Sequence, residues 1–69
     1  MPFVTVNIVK EAIAGDPERI KAAISKGITE AVADAVGFDV DATWVVFNEV
    51  PETDWFLGQK RVKEFRQES

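Results

Sequence analysis

The sequence predicts a small α+β domain built as a βαβ unit with parallel strands. Three observations predict it. An alternating apolar run opens the chain. A capped amphipathic stretch of about twenty residues follows. A second run rich in β-branched and aromatic residues comes next. The chain has 69 residues, and no linker or internal repeat divides it, so residues 1–69 read as one domain.

The elements follow in order. Phe3 to Val9 reads as the first strand: Val4, Val6 and Ile8 share one face, and Phe3, Thr5, Asn7 and Val9 share the other. Both faces carry apolar residues, so neither suits free solvent. Lys10 to Gly15 is a connection. Asp16 N-caps a helix, Pro17 takes its first position and Glu18 lies in its positive first turn. Ile20, Ile24, Ile28 and Val32 recur every four residues, with Ala23, Ala31 and Ala35 beside them. Gly37 suits the left-handed residue that ends a helix. The helix is therefore expected over 17–36, about 30 Å long at 1.5 Å per residue. Asp39 to Ala42 is a turn. Thr43 to Val50 is the second strand, stopped by Pro51. Pro51 to Gly58 reads as a loop with two exposed aromatics, Trp55 and Phe56. From Gln59, Val62 and Phe65 in a charged stretch suggest a short helix or a docking tail.

Composition narrows the function classes. Twelve Asp/Glu against eight Lys/Arg give a net charge of −4, which argues against a nucleic-acid partner. The apolar runs are too short for a membrane span of roughly 20 residues. No basic segment leads into an apolar one at the N-terminus, so no signal peptide is read and a cytoplasmic location is expected. The chain has no Cys, His or Tyr. Disulfides, thiol nucleophiles and His-based triads are thereby excluded. No metal-ligand cluster stands out, and no cofactor is implied. Acid–base chemistry falls to carboxylates, Lys or a free N-terminus.

A strand–helix–strand connection calls for a right-handed crossover. Two parallel strands leave two open edges, and one helix covers one face. A chain this short buries only about 60% of its unfolded surface. Without disulfides or metal, association is the remaining route to stability. A symmetric oligomer is expected, with sheets from different chains joining and covering one another.

Pro2 is the residue with the sharpest chemical reading. Its ordinary role is to open a strand, where the missing N–H costs nothing. Removal of Met1, expected before a small residue or Pro, would turn it into a free secondary amine. An α-amino group titrates near pH 8, and a nearby cation or apolar wall lowers that value. Such an amine serves as a general base or nucleophile at neutral pH without His.

Taken together, the chain resembles the 4-oxalocrotonate tautomerase family. The resemblance spans nearly its whole length. It rests on Met1-Pro2-Phe3-Val4 and the alternating strand, the helix over 17–36, Thr43 to Pro51, and Asp54-Trp55-Phe56-Leu57-Gly58. It implies a homohexamer, a trimer of dimers, with sites at subunit interfaces. It also implies that Pro2 moves a proton between carbons of a small 2-hydroxy-enoic or 2-oxo acid. In the family an Arg or two bind the substrate carboxylate, and a neighbour's aromatic walls the site. Relatives use the same Pro in hydration, dehalogenation or decarboxylation.

The chain departs from that pattern at the cations. Lys10-Glu11-Ala12 stands where the family's first arginine follows strand one, and Trp44 occupies the second arginine's place in strand two. Gln59 replaces the second glycine of the hairpin. Lys10 is then the leading substitute for carboxylate binding, although it cannot fork a carboxylate as Arg does. Its plain reading is a solvated strand end. Arg19 near the helix start and Arg61 in the tail are further candidates, each otherwise a surface residue. Trp44 and Trp55 are expected to line the pocket, or else to be core or subunit contacts. Asn7 and Asn48 could each bond a substrate carbonyl, or each be a satisfied core or edge amide. The expected activity is keto–enol tautomerisation. A hydratase, dehalogenase or decarboxylase, or a non-catalytic oligomeric binding module, is the alternative.

Overall fold

The computed structural model describes residues 2–61. Strand β1 (Phe3–Val9) leads through a 3-10 turn at Lys10–Ile13 into helix α1 (Pro17–Val36). A second 3-10 turn at Val40–Ala42 opens onto strand β2 (Trp44–Val50). A third, Glu52–Asp54, precedes a hairpin of β3 (Phe56–Leu57) and β4 (Lys60–Arg61).

β1 and β2 pair parallel, from Phe3 opposite Trp44 to Val9 opposite Val50. This is the βαβ unit that the sequence pattern predicts. β2 begins one residue later than expected, at Trp44. β3 and β4 form a separate antiparallel pair. Gly58-Gln59 joins them, with φ +64° at Gly58, where only Gly is unstrained. The short helix or docking tail expected from Gln59 is therefore corrected at its start. Lys60 and Arg61 are strand residues, held by pairing with Leu57 and Phe56. Val62 and Phe65 lie outside the described residues.

The helix has the predicted bounds and the predicted ends. The Asp16 carboxylate accepts from the Arg19 N–H at 3.3 Å, and Pro17 occupies the first turn. Gly37 ends the helix at φ +78°, its N–H donating to the Ala33 carbonyl at 2.9 Å. Ile20, Ile24, Ile28 and Val32 are half-buried. The flank of that stripe is not the alanine side. Ala23, Ala31 and Ala35 are exposed, whereas Lys21, Ser25, Thr29 and Ala33 are half-buried. One cause is visible: Lys21 pairs with Glu49 of β2, which turns that side of the helix toward the sheet.

Alternation along the strands separates two faces. Val4, Val6, Ile8, Val45 and Phe47 are half-buried on the helix side. The other face is open: Phe3 is 65% exposed, Trp44 61% and Val46 40%. Among the described residues only Ile13 is fully buried. A single helix covers one face of two strands and leaves the other face with no layer to close a core.

Candidate active site

Parallel pairing gives the sheet two chemically different ends. At the first, Pro2 is half-buried, and its carbonyl accepts the Trp44 N–H at 3.0 Å. Pro2 precedes the ladder, so its lack of an N–H removes no sheet bond. Trp44 in turn lines an open cavity of about 410 Å³ together with Asp41, Ala42 and Thr43. The turn that carries Asp41 is fixed by Asp39, whose carboxylate accepts the Asp41 N–H at 3.0 Å. The lining is apolar apart from one carboxylate and the Thr43 hydroxyl, and it holds no cation. Thr43 Oγ1 is buried with no hydrogen-bond partner among the described residues.

At the far end sit Lys10, Glu11, Glu52 and Trp55. The Glu52 N–H donates to the Glu11 carboxylate at 2.8 Å, tying the turn after β1 to the turn after β2. The Trp55 indole N–H donates to the Val50 carbonyl at 3.1 Å and is part-buried. Trp55 is thus not the exposed loop aromatic expected beside Phe56. That bond draws its ring onto the end of β2, while Phe56 remains 56% exposed.

Four of the six candidate residues divide between these ends. Pro2 and Trp44 lie together at the first. Lys10 lies across the length of β1, about 26 Å from Pro2 at about 3.3 Å per residue. One chain does not bring the Lys10 ammonium to the Pro2 nitrogen. Arg19 is engaged by Asp16 at 3.3 Å, and Arg61 stacks over the Phe56 ring at 6.0 Å. Among the described residues Lys10 makes no ion pair, whereas Lys21 and Lys26 pair with Glu49 and Glu30. Glu11 was not singled out by the sequence pattern as part of this end. The register would have found it, because residues 11 and 52 carry on the same 41-residue offset that pairs β1 with β2. Among the described residues no group of His, Cys, Asp and Glu could hold a metal ion. No described helix is long and apolar enough to cross a membrane.

The family model described as "Tautomerase enzyme" matches residues 2–64, beginning at Pro2 itself.

This chain belongs to the tautomerase family.

Known relatives agree with that membership. Probable tautomerase K2 of Dickeya dadantii is 30% identical over 69 residues, covering all of this chain and 98% of that protein. Among solved structures, DmpI from Helicobacter pylori superposes with a TM-score of 0.84 at 22% identity, over 99% of this chain and 100% of that one. At that identity it supports the fold. TomN, a 4-oxalocrotonate tautomerase homologue in the tomaymycin biosynthetic pathway, gives 0.79 at 29% identity, over 96% and 95%. A 4-oxalocrotonate tautomerase isozyme of Methylibium petroleiphilum gives 0.77 at 26% identity, over 93% and 97%. The tautomerase resemblance in the sequence and the βαβ architecture are both borne out. The family supports a tautomerase-type enzyme.

Proposed function

We propose that this tautomerase-family chain moves a proton in small 2-hydroxy-enoic or 2-oxo acids, with the amine of Pro2 as general base once Met1 is removed. The observation that carries the reading is the half-buried Pro2 at the sheet end, bonded to Trp44 of a mostly apolar cavity, in a chain that matches the family from residue 2. An apolar wall disfavours the protonated amine and lowers its pKa. The free base takes a proton from the enol hydroxyl or a carbon and returns it at another carbon.

The acid's carboxylate needs a cation, and the Trp44-lined cavity has none. Lys10 is the substitute we assign, since Arg19 and Arg61 are engaged elsewhere in the same chain. Lys10 and Trp55 lie at the opposite end of β1, so they reach Pro2 from another subunit. Head-to-tail pairing of chains along the free strand edges supplies that contact. The functional unit is accordingly a cytoplasmic homo-oligomer, a hexamer arranged as a trimer of dimers, with each site shared between subunits. No cofactor or metal enters the scheme.

The test is ketonisation of a 2-hydroxy-enoic acid followed by ultraviolet absorbance. Pro2→Ala, with Met1 removal checked by mass, is expected to lose on the order of 10²–10⁴-fold in kcat/KM, the contribution of a positioned base. Full activity in Pro2→Ala overturns the proposal.

A second reading is favoured by Asp41, the one charged residue of the cavity lining, whose carboxylate would favour a protonated amine. There a protonated Pro2 acts as acid or electrostatic partner in hydration, dehalogenation or decarboxylation. The pH profile separates the two. Activity that rises as the amine deprotonates belongs to the base, and activity that falls belongs to the acid. A third possibility, a non-catalytic binding module, predicts saturable ligand binding with no turnover at any pH.

A further inference from the structure

The sheet face turned away from the helix carries no charge. Phe3, Thr5, Asn7, Trp44, Val46 and Asn48 form it, within a chain of net charge −4. The rung before the last pair, Val9 and Val50, is polar in one particular way. Asn7 and Asn48 stand opposite one another in the register, and the Asn48 amide NH₂ donates to the Asn7 carbonyl oxygen at 3.1 Å. Both are exposed; Val46 beside them is exposed too, while Val9 and Val50 beyond them are half-buried.

We propose that this face packs against the same face of a second copy, and that the Asn7–Asn48 pair is a polar key that fixes how the copies align. The argument is one of complementarity. An amide pair joined by one bond leaves an NH₂ group on one residue and a carbonyl oxygen on the other. Here the spare donor lies on β1 and the spare acceptor on β2. Turn a second sheet over the first about an axis along the strands, and its β1 lies above the first one's β2. Donor then meets acceptor twice, as a self-complementary interface requires. A ring of copies closes by the same rule, each donor meeting the next acceptor. Facing sheets sit about 10 Å apart, a gap that two short amide side chains can bridge. Sliding by one position on this face, two residues along the strand, sets the amides against Val46, Val50, Val9 or Thr5 and breaks the match of donor to acceptor. The device has the same physics as a single Asn in an otherwise apolar coiled-coil seam, which sets register at some cost in stability. A charged surface would leave its ions facing this patch uncompensated, so a second charge-free copy is the partner that fits.

The inference rests on the self-association proposed above, and native mass spectrometry over a dilution series separates the two. Wild-type protein is expected to give one oligomeric mass. Asn48→Val, which leaves Asn7 unpaired, is expected to dissociate at a concentration at least about tenfold higher. The double variant Asn7→Val/Asn48→Val is expected to stay associated but to spread over several masses. Side-chain amide exchange by NMR gives a readout that does not need the variants: both Asn amides should exchange far more slowly than an exposed Gln amide. A wild-type monomer at high micromolar concentration overturns the association itself. A wild-type oligomer with freely exchanging Asn amides overturns the key alone. So does a double variant with the wild-type's single mass and dissociation concentration.

Discussion

Pro2 and Lys10 flank one seven-residue strand, and their separation is the residue-scale fact on which the site turns. Were Lys10 the carboxylate-binding group, Lys10→Ala should raise KM for an acid substrate by at least about tenfold with a smaller effect on kcat, while Lys10→Arg should retain binding. Steady-state kinetics of the three proteins checks this. Glu11 acts through its neighbours: its carboxylate fixes the Glu52 N–H at the base of the turn that carries Trp55. Glu11→Ala should remove a bond worth about 1.5–3 kcal/mol at most and shift Trp55 fluorescence. Glu11→Gln keeps an acceptor oxygen and should restore the wild-type spectrum. Thr43 offers the opposite sign. Its buried hydroxyl has no partner among the described residues, so Thr43→Val should leave stability unchanged or raise it by about 1 kcal/mol in urea unfolding. Pro2 was legible in the sequence because its chemistry needs only its own position. Glu11 and the Asn7–Asn48 bond were not, because both depend on the 41-residue offset between strands, which alternation alone does not determine.

At the scale of elements, local chemistry fixed the helix and tertiary contacts fixed the rest. Asp16, Pro17 and Gly37 set its ends without reference to anything distant, and the structure has the same bounds. Asp16→Ala should therefore cost about 0.5–2 kcal/mol, and Gly37→Ala should destabilise as well, since φ is +78° there. Thermal unfolding followed by circular dichroism reads both. Which flank of the isoleucine stripe faces the sheet was not legible. Alanines suit a buried flank by hydropathy alone, but the Lys21–Glu49 pair lies on the other flank, and that pair spans 28 residues. The hairpin after Pro51 was half-legible. Gly58 signalled the turn, whereas the drawing in of Trp55 depends on the carbonyl of Val50.

For the whole molecule, the count of buried side chains decides the argument. One fully buried residue, Ile13, among the described residues is too little for an independent core. The exposed Phe3, Trp44 and Val46 make up the shortfall only when another chain covers them. Trp44→Glu should consequently yield a monomer of much lower helicity, read by sedimentation and circular dichroism. A folded, active Trp44→Glu monomer would contradict a shared site. The proposed function makes an N-terminal amine, that of Pro2, the reactive group. The intact mass of the protein from its own source tests that claim most directly. The account predicts a mass short of one Met residue, leaving Pro2 with a basic nitrogen. A mass that retains Met1 throughout the population would make that nitrogen an amide and contradict the proposed chemistry.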